Sequence, residues 1–124
     1  MTDKILLLTG AALTAIWGIA HLFPTKGVVK DFGDISKDNK NIITMEWIIE
    51  GAALIFIGVL TGILALVDYT NEISWIVFLS VVIMLVVLSV ISLFTGFKVN
   101  FLPFKLCPFI FSASAVLIFI GGVL

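Results

Sequence analysis

The chain contains no arginine, one cysteine and one histidine, and only 12% of its 124 residues are charged. Without arginine, no side chain can hold a phosphate or carboxylate through two parallel hydrogen bonds. The seven basic residues are all lysines, they form no run, and the net charge is −1. The sequence therefore gives no basis for nucleic-acid binding. The single cysteine, Cys107, excludes a disulfide within the chain.

Apolar residues, by contrast, make up 61% of the chain, and the mean hydropathy is +1.28. Because a soluble domain carries about a quarter charged residues, this composition indicates an integral membrane protein. Four apolar segments are each close to the ~20 residues that cross a membrane as a helix. We therefore predict a single domain, residues 1–124, folded as an all-α bundle of four spans, at about 5–22, 42–67, 73–97 and 104–124.

The long polar stretch, residues 23–41, is predicted to be a loop. Pro24 ends the first span, and apolar residues recur among the charges at Val28, Val29 and Phe32. This spacing suggests that part of the loop forms a short helix lying in the membrane interface. A signal peptide is the alternative for the first segment, but the Gly10, Thr14 and Gly18 spacing favours a helix that packs within the protein.

Lysine placement predicts the orientation in the membrane. Six of the seven lysines lie in the first and third loops or next to them, and the opposite side has only Lys4. Lysine-rich loops remain in the cytoplasm. We therefore expect both termini outside the cytoplasm.

Antiparallel threading of four spans gathers most polar groups at one end of the bundle. That end holds His21, Glu46, Glu50, Lys98, Asn100, Lys105 and Cys107. Glu46 and Glu50 share one helical face with Thr61. Glu46 adjoins Trp47, an expected interfacial anchor, whereas Glu50 lies roughly 5 Å deeper, where an ionised carboxylate needs a partner or a wet cavity.

Small residues predict where the helices pack. Gly51, Gly58 and Gly62 form a second face of the second span, and the last two form a GxxxG pattern, which permits close helix approach. This pattern fits either packing inside the chain or a homodimer interface. Gly18 and Gly96 occupy similar stripes on the first and third spans.

His21 with the two glutamates could form a metal site or a proton relay. However, there is no second histidine and no His-x-x-x-His motif, so we predict no metal. The alternative is that His21 and Glu46 are simply hydrated at the interface. No catalytic constellation is complete, and no enzymatic activity is predicted.

Two stretches, Gly18-Ile-Ala-His21-Leu-Phe-Pro24 and Trp47-Ile-Ile-Glu50-Gly51, resemble the DoxX-like group of small four-span membrane proteins. That group is associated with quinone-linked or thiol-linked redox systems, often as partner subunits. The resemblance implicates His21, Glu50 and Gly51. The absence of a cysteine pair differs from the redox members and argues against direct thiol chemistry.

The sequence thus predicts a polar pocket that binds an amphiphilic ligand, such as a quinone or a membrane lipid, or that docks a partner subunit. A proton-coupled transporter using Glu50 is one alternative, although small multidrug transporters have their essential glutamate in the first span, which here has no acid after Asp3. A structural subunit of a larger membrane complex is the other.

Overall fold

The computed structural model describes all 124 residues, and its regular secondary structure is entirely α-helical. The helices are α1 Thr2–Leu22, α2 Thr25–Asp31, α3 Lys37–Val67, α4 Glu72–Gly96 and α5 Leu102–Gly122. All except α2 are long and apolar enough to cross a membrane. The predicted all-α architecture with four spans is therefore confirmed.

The largest difference from the predicted boundaries is at the start of α3. This helix begins at Lys37, five residues before the predicted start, because the Ser36 side chain accepts a hydrogen bond from the backbone N–H of Asn39 (3.1 Å). Such a cap stabilises the first turn. With 31 residues, α3 is about 46 Å long, so its polar first turns extend beyond a ~30 Å hydrocarbon core.

The predicted loop is also more ordered than a plain connection. Its first part forms the seven-residue helix α2, which packs against α3. This helix includes Val28 and Val29, as the apolar spacing predicted, and ends before Phe32. The remaining loop turns at Gly33, whose φ of +74° favours glycine.

The four long helices pack in the order α3–α1–α5–α4, and α3 makes few contacts with α4. Helix α1 is therefore enclosed between α3 and α5, whereas α3 has α1 as its one extensive neighbour among the long helices. The buried core runs through all four long helices, and its largest fully buried side chains are Leu7, Leu54, Phe78, Leu85 and Ile118.

The close contact between α1 and α3 depends on small residues. A Cβ atom added at Gly58 would lie 2.6 Å from the Ala11 carbonyl oxygen, and one at Gly18 would lie 2.8 Å from that of Gly51. At Gly62 the nearest atom would be 3.8 Å away. Gly58 therefore packs inside the chain, whereas Gly62 has room to spare.

Glycines also bring α5 close to its two neighbours. A Cβ added at Gly10 would collide with Ile118, and Gly96 faces the backbone of Phe104. At the opposite end of the bundle, the Trp75 indole N–H donates a hydrogen bond to the Val123 carbonyl (3.1 Å). These contacts fix the register of α5 and thereby the position of the loop that precedes it.

Candidate functional site

The end of the bundle that holds His21, here called the His21 end, is organised by one tryptophan. The Trp47 indole stacks on the His21 imidazole with ring centroids 4.0 Å apart and planes at 14°. Its N–H donates to the His21 carbonyl oxygen (2.7 Å). Phe104 packs edge-on against the same indole, at 5.6 Å. Trp47 therefore ties the end of α1 to α3 and to the start of α5.

His21 and Glu50 form the one ion-pair contact in the structure. His21 Nε2 lies 3.5 Å from Glu50 Oε2, while the His21 side chain is 7% exposed and that of Glu50 is 48% exposed. At this separation Nε2 makes no hydrogen bond. The Glu50 carboxylate is thus half exposed, and the imidazole beside it is nearly buried.

A groove of about 690 Å³ lies beside Glu50. Its walls come from α2, the beginning of α3 and the α4–α5 connection. Nine of the thirteen lining residues are apolar, and the polar ones are Asp31, Glu46, Glu50 and Asn100. The groove therefore combines a large apolar surface with three carboxylates and one amide, and no lysine lines it.

A second, smaller cavity of about 120 Å³ lies next to the groove, and Trp47, Phe101 and Phe104 line both. The other lining residues are Trp17, Ala20, His21, Pro24, Pro103 and Cys107. Two ring nitrogens among them, Trp17 Nε1 and His21 Nε2, are buried and have no hydrogen-bond partner. We call this space the inner cavity.

The structure brings together only part of the predicted site. Glu46, Glu50 and Asn100 line the groove, and His21 lines the inner cavity. The exposed Lys98 lines neither of them.

Thr61, which shares a helical face with Glu50, is eleven residues further along α3 and therefore roughly 16 Å away along the axis. It is fully buried, and its hydroxyl donates to the Ile57 carbonyl (2.8 Å). Thr61 is therefore a packing residue.

No group of three or more histidine, cysteine or acidic side chains is close enough to hold a metal ion. Chemically, the arrangement can accept hydrogen bonds at its carboxylates, donate them from the two ring nitrogens, and pass a proton between Glu50 and His21.

Sequence reasoning missed three of the aromatic side chains that shape the site: Trp17, Phe101 and Phe104. It also treated Trp47 only as an interfacial anchor. Trp17 lies one helical turn before His21, so the stripe of α1 that contains both was the available signal. Phe101 and Phe104 flank Pro103 at the beginning of α5, and nothing in their pattern distinguishes them from lipid-facing aromatics.

Comparison of the chain with protein-family models, curated proteins and solved structures finds no match.

Proposed function

We propose that this protein binds an amphiphilic ligand, a quinone or a lipid, in the groove at the His21 end. The observation that carries the proposal is the groove itself, which joins a mainly apolar wall to the carboxylates of Glu46 and Glu50. Its volume, about 690 Å³, lies within the range of small-molecule sites. The apolar body would lie along α3, and the head group would meet the polar residues.

The charges in the groove favour particular head groups. Asp31, Glu46 and Glu50 all line it, and ionised carboxylates accept hydrogen bonds but donate none. A head group that donates hydrogen bonds, such as a quinol hydroxyl or the ammonium of an ethanolamine lipid, is therefore favoured. An anionic head group would be repelled.

The lysine distribution supports a cytoplasmic location for this end of the bundle. Lys26, Lys30, Lys37 and Lys40 lie in α2 and around the start of α3, close to the groove, whereas the other end has only Lys4. We include this orientation, with both termini outside, in the proposal.

The proposal can be tested by fluorescence, because Trp47 lines the groove. A variant with Trp17→Phe and Trp75→Phe retains Trp47 as its only tryptophan. In nanodiscs, short-chain quinol, ethanolamine lipid and glycerol-phosphate lipid would be titrated and the Trp47 emission followed. We expect a saturable change with the quinol or the ethanolamine lipid and a much weaker one with the anionic lipid.

The matched control retains Trp75 instead, at the opposite end of the bundle, with Trp17→Phe and Trp47→Phe. Its emission should not respond. Equal responses of Trp47 and Trp75, or no saturation at Trp47, would contradict the proposal. Extraction in mild detergent followed by mass analysis of bound lipids and proteins would identify the natural ligand or reveal a partner subunit.

Proton-coupled transport is the second candidate, and the proximity of His21 and Glu50 favours it, because the pair can exchange a proton. The rest of the bundle supports transport less than it supports ligand binding. The groove, the inner cavity and a third cavity lined by Lys30 and Lys40 are all at the same end. Beyond this end the bundle is filled by buried side chains such as Leu54, Leu85 and Phe78. In liposomes, loss of pH-dependent flux in Glu50→Gln would support transport.

A further inference from the structure

The inner cavity holds two hydrogen-bond donors that the protein leaves unused. The Trp17 indole N–H has only the Cys107 thiol, a weak acceptor, within reach, and neither it nor His21 Nε2 makes a well-formed hydrogen bond; the His21 side chain is 7% exposed. Buried polar groups are nearly always hydrogen-bonded, because leaving one unpaired is destabilising. Two orphans lining one cavity therefore indicate a molecule that bonds to them there.

From this pairing we infer that the inner cavity receives a neutral, ring-sized group bearing an oxygen atom, the carbonyl of a quinone or the hydroxyl of a quinol, which accepts hydrogen bonds from Trp17 and His21. The inference rests on the proposed function, because this group would be one end of the amphiphile held in the groove. Trp47, Phe101 and Phe104 line both spaces, so a ligand in the groove lies against the walls of the cavity.

The type of atom follows from the chemistry of the two nitrogens. An indole N–H only donates hydrogen bonds. His21 Nε2 lies 3.5 Å from the Glu50 carboxylate and makes no hydrogen bond with it, so a proton on this nitrogen is available to an acceptor in the cavity. Both nitrogens therefore present protons, and the complementary atom is an oxygen with free lone pairs.

The size and shape of the group follow from the walls. The cavity volume is about 120 Å³, and an apolar protein cavity of about 150 Å³ holds one benzene molecule. Six of the nine lining residues are hydrophobic, and they include the flat rings of Trp17, Trp47 and Phe104. A single six-membered ring is therefore the largest group that this space can take.

The charge of the group follows from its surroundings. No lysine lines the cavity, and any positive charge on His21 already faces Glu50. An anion would therefore enter a mostly apolar space without a counter-ion of its own, which is costly. This excludes carboxylates and phosphates in favour of a neutral carbonyl or hydroxyl.

The test uses protein labelled with ¹⁵N in its three indole groups and reconstituted in nanodiscs. Cyclohexanone serves as the probe, and methylenecyclohexane has the same shape without the oxygen. We expect cyclohexanone to move the Trp17 N–H signal downfield and saturably, while the Trp75 signal stays in place. Methylenecyclohexane should cause no downfield shift, and cyclohexanecarboxylate should not bind.

Two variants remove one donor each while keeping a ring in position. Trp17→Phe and His21→Phe should each weaken cyclohexanone binding about fivefold, as expected for one hydrogen bond. Because Trp17→Phe removes the Trp17 signal, binding to this variant is followed through Trp47 emission. Circular dichroism checks that both variants remain folded, and Trp75→Phe is the matched control with unchanged affinity.

An unmoved Trp17 signal, or equal shifts with cyclohexanone and methylenecyclohexane, would overturn the inference. Amphiphile binding in the groove that is unaffected by Trp17→Phe and His21→Phe would also overturn it and would leave the proposed function intact. Saturable binding of cyclohexanone without any amphiphile binding would overturn the proposed function and retain the carbonyl site.

Discussion

The indole N–H of Trp47 donates a 2.7 Å hydrogen bond to the carbonyl oxygen of His21, and the two rings stack 4.0 Å apart. One side chain on α3 thereby holds both the backbone and the imidazole at the end of α1. The position of the imidazole relative to Glu50, and the wall between the groove and the inner cavity, both depend on this contact.

Replacing Trp47 should therefore loosen the His21 end. Trp47→Phe keeps an aromatic ring but removes the hydrogen bond, so we expect a loss of about 1 kcal/mol in the free energy of unfolding. Denaturation in mixed micelles, followed by circular dichroism, measures this. Trp75→Phe removes a similar indole-to-carbonyl bond that is exposed and 3.1 Å long, and its effect should be smaller. An equal effect of both substitutions would contradict a special role for Trp47.

The two glycines of the GxxxG pattern should respond differently to the same change. In Gly58→Ala the new methyl group would lie 2.6 Å from backbone atoms of Ala11 and Ala15, so α1 must move, at a cost of about 1–3 kcal/mol. In Gly62→Ala it would lie 3.8 Å from Ala11, and the gain in helix propensity should make the change neutral or stabilising. Equal destabilisation in micelles would argue against the observed α1–α3 packing.

Glu50 should contribute to ligand binding, because it lines the groove and faces His21. For an ammonium or hydroxyl head group, we expect Glu50→Gln to weaken binding by about tenfold at most, since half of the side chain is open to solvent. The Trp47 fluorescence assay measures this. Lys98→Gln is the control, because Lys98 does not line the groove, and a comparable loss there would point to a general charge effect.

Asp68 should make the turn between α3 and α4 sensitive to acid. Its side chain accepts hydrogen bonds from the Thr70 hydroxyl (2.8 Å) and backbone N–H (3.0 Å), and these bonds hold the pKa of Asp68 below its ordinary value of 3.8. A carboxyl group whose pKa is lower in the folded state stabilises the fold at pH values above its unfolded-state pKa. This stabilisation is lost as the pH falls through its folded-state pKa. The stability advantage of the wild type over Asp68→Ala should therefore be constant at neutral pH and decline below pH 3.8. Thermal unfolding from pH 3 to pH 7 checks this, and a pH-independent difference would contradict it.

The orientation can be tested with a membrane-impermeant maleimide in a Cys107→Ser background. Asp34→Cys lies in the loop before α3, and Leu124→Cys lies at the opposite end of the bundle; both positions are exposed. In intact cells, we expect labelling at position 124 and protection at position 34 until the membrane is opened. The reverse pattern would place the groove outside the cytoplasm.

The architecture could be predicted from sequence because long apolar segments leave few alternatives in a membrane. The start of α3 was mispredicted because its first residues, Lys37 to Asn41, are polar, and hydropathy alone assigns such residues to a loop. Ser36 caps the helix and Asp38 lies in its first turn. This pattern indicates a helix start, but a hydropathy profile does not detect it. At the start of α5, Pro103 was assigned to the turn, although proline also fits the first turn of a helix.

The polar half of the site was easier to predict than its aromatic half. Glutamates in an apolar segment are conspicuous, so Glu46 and Glu50 could be selected from sequence. Phe101 and Phe104 could not be, since aromatic residues are common throughout membrane helices and only the packing order shows which ones meet, whereas Trp17 shares a helical stripe with His21 and could have been included. Thr61 was included in the predicted site for a different reason. It shares a helical face with Glu50, but the two residues are three turns apart along α3 and therefore do not meet.

The enclosure of α1 between α3 and α5 has a consequence for biogenesis. Helix α1 can pair with α3 as soon as that helix is inserted. Its other face, which includes Gly10, meets its partner only when α5 has also entered the bilayer. Until then this face is covered by lipid or by the insertion machinery. Completion of the bundle therefore waits for α5, and a chain whose synthesis stops before α5 would carry an α1–α3 pair with its inner surface still open.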